Sequence, residues 1–100
     1  MKFRHAFHAG RDSLHIVFAD GEGLPLHGHE PETYHDTLVL SGQVEVFGPG
    51  WSETLQAGDR RVFTDAQMTH AIYAFGDTEI LNIYRQPKPD LAKLTEWRTA

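Results

Sequence analysis

Turn-forming residues interrupt this chain at intervals of about ten positions, and the apolar runs between them have the length of β-strands. The interruptions are Gly10-Arg11-Asp12, Gly21-Glu22-Gly23, Glu30-Pro31-Glu32, Gly42, Gly48-Pro49-Gly50, Gly58-Asp59 and Gly76-Asp77. Glycine supplies positive φ, proline fixes φ, and Asp folds back on its own backbone, so each cluster ends an element for a physical reason. Short strands so punctuated predict an all-β sandwich or barrel, not βαβ units.

Lys2 to Phe7 and Leu14 to Phe18 read as a first hairpin, and Pro25 to His29 as a short extended segment. Tyr34 to Leu40 and Gln43 to Phe47 are two further strands, the second alternating polar and apolar, with Gly42 expected to reverse the chain between them. Trp51 to Gln56 and Arg60 to Phe63 follow, and then Thr69 to Phe75 and Thr78 to Arg85 on either side of Gly76-Asp77. The one helical expectation is Asp90 to Trp97 in the tail 86–100, where Leu91, Leu94 and Trp97 share a face. That segment is too short to hold without docking, so it is expected to cover the barrel or a partner copy.

A chain of 100 residues is expected to form one domain, 1–100. It has no cysteine, which excludes a disulfide scaffold and a thiolate metal site. The formal charge is −5 and the basic residues are scattered, so nucleic acid is not an expected partner. No apolar run has the length of a signal peptide or a membrane span, and the expectation is a cytoplasmic protein with no membrane partner.

Chemistry is concentrated in histidine. His27 and His29 flank Gly28 and would share one face of a strand, His35 opens the next strand, and His70 opens a later one. In an antiparallel barrel these segments can meet, and neutral imidazoles are common ligands for divalent transition metals. His5, His8 and His15 sit in a terminal segment or as single polar residues in a strand, and are read as structural. Arg60 and Arg61 are read as solvated strand residues, one of which could guide an anion. Phe63, Met68, Tyr73, Trp51 and Tyr84 are read as barrel packing.

Over about residues 21–75 the chain resembles a small single-domain cupin of the RmlC-like, double-stranded β-helix (jelly-roll) type. Gly21, His27, His29 and the segment Leu38-Val39-Leu40-Ser41-Gly42-Gln43-Val44-Glu45-Val46 resemble the family's first motif, with His35 where that motif has glutamate. Gly58-Asp59-Arg60-Arg61-Val62-Phe63 and His70 resemble the second, with Thr64 and Ala66 in place of its Pro and Gly. Glu32 is the rival carboxylate but fits the spacing less well, and Asp36 should point away from His35.

The resemblance implies a metal site of His27, His29, His35 and His70 for Fe, Mn, Ni, Cu or Zn. Four neutral ligands leave the ion its full charge, so a small anionic, oxygen-bearing ligand or substrate is expected. It implies a dioxygenase-like enzyme first. A metal-dependent isomerase or lyase on a sugar-derived acid is the next reading, and a non-enzymatic binding or sensing module the third. No general base is identifiable. A homodimer is expected, since pairing covers exposed strand edges.

Overall fold

In the computed structural model, which describes residues 1–99, Ala9 and Gly10 both take positive φ (51° and 79°) and join β1 (Lys2–His8) to β2 (Arg11–Phe18). Two successive positive φ values are what a two-residue hairpin with right-twisted strands requires. The remaining strands are β3 (Gly23–His27), β4 (His35–Gly48), β5 (Trp51–Gln56), β6 (Arg60–Val62), β7 (His70–Tyr84) and β8 (Arg98–Thr99). Short 3-10 turns occupy Pro31–Thr33, Asp65–Met68 and Pro89–Lys93. The fold is all-β, as the turn punctuation implies.

Every pairing is antiparallel, in the order β5-β4-β7-β2-β1-β8, with β3 also on β7 and β6 also on β4. The reversal expected at Gly42 does not occur. β4 runs through Gly42 (φ 81°) and pairs with β7 on both sides of it, from His35↔Tyr84 to Phe47↔Ala71. The turn expected at Gly76-Asp77 is likewise absorbed within β7. Register shifts flanking Ser41 bend the pair instead. A positive-φ glycine serves a bend as well as a reversal, and long-range pairing with β7 decides which. The first half of β4 therefore pairs with β6 and the second half with β5, so the bent β4–β7 pair links both ends of one eight-stranded sheet.

The interior is filled by alternate residues of these strands. Phe18, Val39, Val44 and Ile80 are completely buried, with Ile16, Val46, Phe63 and Met68 beside them. Burying a side chain such as Phe18 contributes about 1.5–3 kcal/mol. The opposite face of the β4–β7 pair holds Asp36, whose carboxylate accepts hydrogen bonds from Arg60 (3.1 Å) and Arg85 (3.0 Å). Asp36 thus points away from His35, as strand alternation requires.

The C-terminal segment is not the expected helix over Asp90–Trp97. Only Pro89–Lys93 makes a 3-10 turn, after which the Leu94 carbonyl accepts the His5 N–H (2.8 Å) and Arg98–Thr99 pair with Lys2–Phe3. Partners on β1 satisfy the backbone better than one unstable helical turn. The tail does cover the barrel: the Trp97 ring lies 4.9 Å from that of His15, with the Arg4 guanidinium 4.4 Å from its centre. Ala100, the last residue of the tail, lies outside the described residues. No helix among the described residues is long and apolar enough to cross a membrane.

Candidate metal centre

β3 ends at His27, which pairs with His70 at the start of β7. His29 lies beyond the end of β3, so it does not share a strand face with His27 as alternation suggested. The loop through Gly28 brings it to the same place by another route. The His27 and His29 ring centres are 4.6 Å apart, His27 and His70 5.2 Å, and His29 and His70 4.7 Å. One nitrogen from each of these three lies within 4.8 Å of the other two. His35, the first residue of β4, stands outside that set but beside it, with its Nε2 3.2 Å from the Nε2 of His29.

Each of the three converging rings is fixed from behind by backbone. The Nδ1 of His27 faces the Pro25 carbonyl (2.6 Å), that of His29 the Met68 carbonyl (2.5 Å), and that of His70 the Gln67 carbonyl (2.6 Å). A carbonyl oxygen only accepts, so each Nδ1 carries the proton and each Nε2 presents a lone pair. This is the supporting shell that orients histidine ligands in metal sites.

Burial also favours the neutral form of His29, His35 and His70. Burial lowers the pKa of His29, and the Met68 carbonyl opposes this only in part. Burial pushes His70 down to about 4 against the opposing hydrogen bond to Gln67. His35 falls to about 3, through burial first and then through the neighbouring His29 and His70. Neutral imidazole is the metal-binding form, so His29, His35 and His70 need little deprotonation to bind an ion near neutral pH.

The His27, His29 and His70 nitrogens could hold a divalent transition ion, for which neutral imidazoles are suitable ligands, and His35 stands at a ligand-like distance from one of them. Two nitrogens at about 2.1 Å from one metal stand about 3.0 Å apart in octahedral and about 3.4 Å apart in tetrahedral geometry. The His29–His35 separation of 3.2 Å falls between these values. His35 is 3% exposed and its Nδ1 has no hydrogen-bond partner, an uncompensated polar atom of the kind found at functional sites.

A cavity of about 220 Å³ opens beside His27, His29 and His35. Its apolar wall comes from Met1, Phe3, Leu14, Ile16 and Leu24, and its other polar groups are Asn82 and Tyr84. Asn82 Oδ1 accepts a hydrogen bond from the Thr37 hydroxyl (2.9 Å), which leaves its amide N–H groups for the cavity. Burial raises the Tyr84 pKa, helped by the charge of Asp90. On the other side of the rings, between His35, His70, Thr37 and Phe63, is a chamber of about 10 Å³, the size of one water.

Several residues weighed from the sequence lie elsewhere. Glu32 is exposed on the 3-10 turn Pro31–Thr33 and is not among the converging ligand atoms. Arg60 is paired with Asp36 and Arg61 with Glu53 (2.9 Å), so neither lines the cavity to guide an anion. His5 and His15 bond to Asp12 and Glu79, both at 2.9 Å. Asn82 is absent from the sequence-based reading, and Tyr84 lines the cavity although it reads as packing. The signal for Asn82 was present, since it is the polar member of the alternating set Ile80, Asn82, Tyr84 on one face of β7.

No protein-family model matches the chain, and no curated protein matches it in sequence. Solved structures match it in shape. A conserved protein of unknown function from Streptococcus pyogenes superposes with a TM-score of 0.70 at 18% identity, covering 88% of this chain and 76% of that one. KdgF from Halomonas sp. gives 0.69 at 23% identity over 88% and 80% of the two chains. A cupin-2 domain containing protein from Shewanella frigidimarina gives 0.67 at 21% identity over 86% and 79%. With the paired strands β4 and β7 bent near Ser41 and the histidines gathered from β3, the loop after it, β4 and β7, the chain is a small protein of the RmlC-like cupin fold.

Proposed function

We propose that the chain is a metal-dependent enzyme whose divalent transition ion is held by the Nε2 atoms of His27, His29 and His70, with His35 as a fourth nitrogen. The observation that carries this reading is the three Nδ1–H groups donated to backbone carbonyls, which leave three lone pairs near a common point. When bound, the ion supplies a Lewis acid that polarises an oxygen donor. Four neutral ligands leave its charge undiminished, which favours a small oxygen-bearing anion. Asn82 contributes a hydrogen-bond donor beside the rings, and the apolar wall keeps water from the rest of the ligand.

A dioxygenase-like oxidoreductase is the preferred chemistry, ahead of an isomerase or lyase acting on a sugar-derived acid. One observation favours a second reading, a non-enzymatic binding or sensing module: no carboxylate among the described residues lines the cavity to act as a base. Copies are proposed to pair as a homodimer through edges of the sheet, where β5 has a strand on one side only.

Elemental analysis of the purified protein tests the central claim. One transition ion per chain is expected, lost in His70→Ala; wild type without stoichiometric metal overturns the reading. Metal-dependent oxygen uptake with 1,2-diketones or enolised acids separates the enzyme from the module.

A further inference from the structure

We infer that the ligand of this cavity is a compact, largely apolar molecule about the size of one six-membered ring with a single oxygen-donor end, and not a polyhydroxylated acid. The inference rests on the metal reading only for where the oxygen points. The walls away from the histidines are Met1, Phe3, Leu14, Ile16 and Leu24, with Asn82 and Tyr84 adding polar groups and the Met1 ammonium already bound by Glu22 (2.6 Å). No Lys, Arg, Asp or Glu among the described residues lines the cavity. Nearby guanidinium groups are already engaged, Arg60 and Arg85 by Asp36 and Arg61 by Glu53.

A sugar-derived acid would set several hydroxyls against these apolar walls, each losing its hydrogen bonds to water without replacement. A ring with one carbonyl or carboxylate end matches the division of the walls. Its oxygen meets the histidine side and the Asn82 amide, and its body meets Leu14, Ile16 and Leu24. The size agrees: an apolar cavity of about 150 Å³ accepts benzene, and this one is about 220 Å³.

Benzamide, benzoate and D-galacturonate are the probes, read by methyl NMR of Leu14, Ile16 and Leu24 in chelator-treated and metal-loaded protein. Benzamide is expected to shift all three methyl sets even without metal, at an affinity about tenfold or more above that of galacturonate. Benzoate is expected to gain on benzamide once metal is loaded. Leu14→Trp, or Leu14→Phe should the larger ring unfold the chain, is expected to abolish the shifts at Ile16 and Leu24. Galacturonate binding as well as benzamide, or benzamide leaving these methyls unmoved, overturns the inference. The benzamide arm needs no ion, so a protein that takes up no metal defeats the metal reading alone.

Discussion

His35 Nε2 lies 3.2 Å from His29 Nε2, with the two rings at 72° to each other. Since His29 gives its Nδ1 proton to the Met68 carbonyl, its Nε2 only accepts, and without an ion the pair is satisfied when His35 donates from Nε2. Binding an ion through both Nε2 atoms would move the His35 proton to a buried Nδ1 that makes no well-formed hydrogen bond, the Asp36 backbone offering it only a weak partner. Moving that proton would make His35 the costliest of the four proposed nitrogens to recruit.

Metal affinity should therefore fall unequally among the variants. His70→Ala is expected to lose stoichiometric metal, while His35→Ala still binds about 10–100-fold more weakly. Competition against a chromophoric chelator measures both. Unchanged affinity in His35→Ala would remove that residue from the coordination set.

The metal-free protein should lose stability in mild acid. His35 and His70 have folded pKa values depressed to about 3 and about 4, so the unfolded chain binds more protons than the native state once pH falls below the ordinary histidine value. Stability then declines as pH drops from about 6.5 toward 4, by about 1 kcal/mol per pH unit for each ring. Denaturant titrations of the chelated protein across that range give the slope, and His70→Asn should reduce it by about half. A flat profile in wild type would mean that the rings titrate normally.

Strand existence was legible because alternation and turn chemistry are local. What Gly42 does was not, because a residue at positive φ permits either a reversal or a bend, and pairing with β7 decides it. The tail was misread for a similar reason. Leu91, Leu94 and Trp97 have helical spacing, but the hydrogen bond from His5 to Leu94 and the β8 pairing are distant in sequence. That His27, His29 and His70 come together was legible from their motif contexts, although His29 arrives from a loop. The cavity was not, since its wall joins β1, β2, β3 and β7, and no single segment shows which of its faces will meet the others.

Gly42 and Gly58 offer a matched test of the bend. Both have positive φ, 81° and 92°, but a Cβ at Gly42 would stand 2.4 Å from Thr78 Oγ1 and 2.5 Å from the Asp77 carbonyl, whereas one at Gly58 meets open space. Gly58→Ala should cost about 1 kcal/mol, the backbone penalty alone. Gly42→Ala adds a clash between β4 and β7 and should cost several times as much, about 3 kcal/mol or more. Equal losses of thermal stability would show that the β4–β7 approach yields easily.

Asp36 separates support of the fold from support of the site. It is next to His35 in sequence but on the other face of β4, where it accepts hydrogen bonds from Arg60 and Arg85, and Arg85 also donates to the Phe63 carbonyl (2.7 Å). Asp36→Ala removes a buried carboxylate from two guanidinium groups that stay partly exposed (39% and 29%), and should cost about 1–3 kcal/mol. For a domain of this size that lowers the melting temperature by about 5–20 °C. Asp36→Asn keeps the shape and one acceptor oxygen and should lose less. The folded fraction of either variant is expected to keep its metal stoichiometry, because the histidines are oriented by the carbonyls of Pro25, Gln67 and Met68. Metal lost without loss of melting temperature would show instead that the Asp36 cluster holds His35 in place.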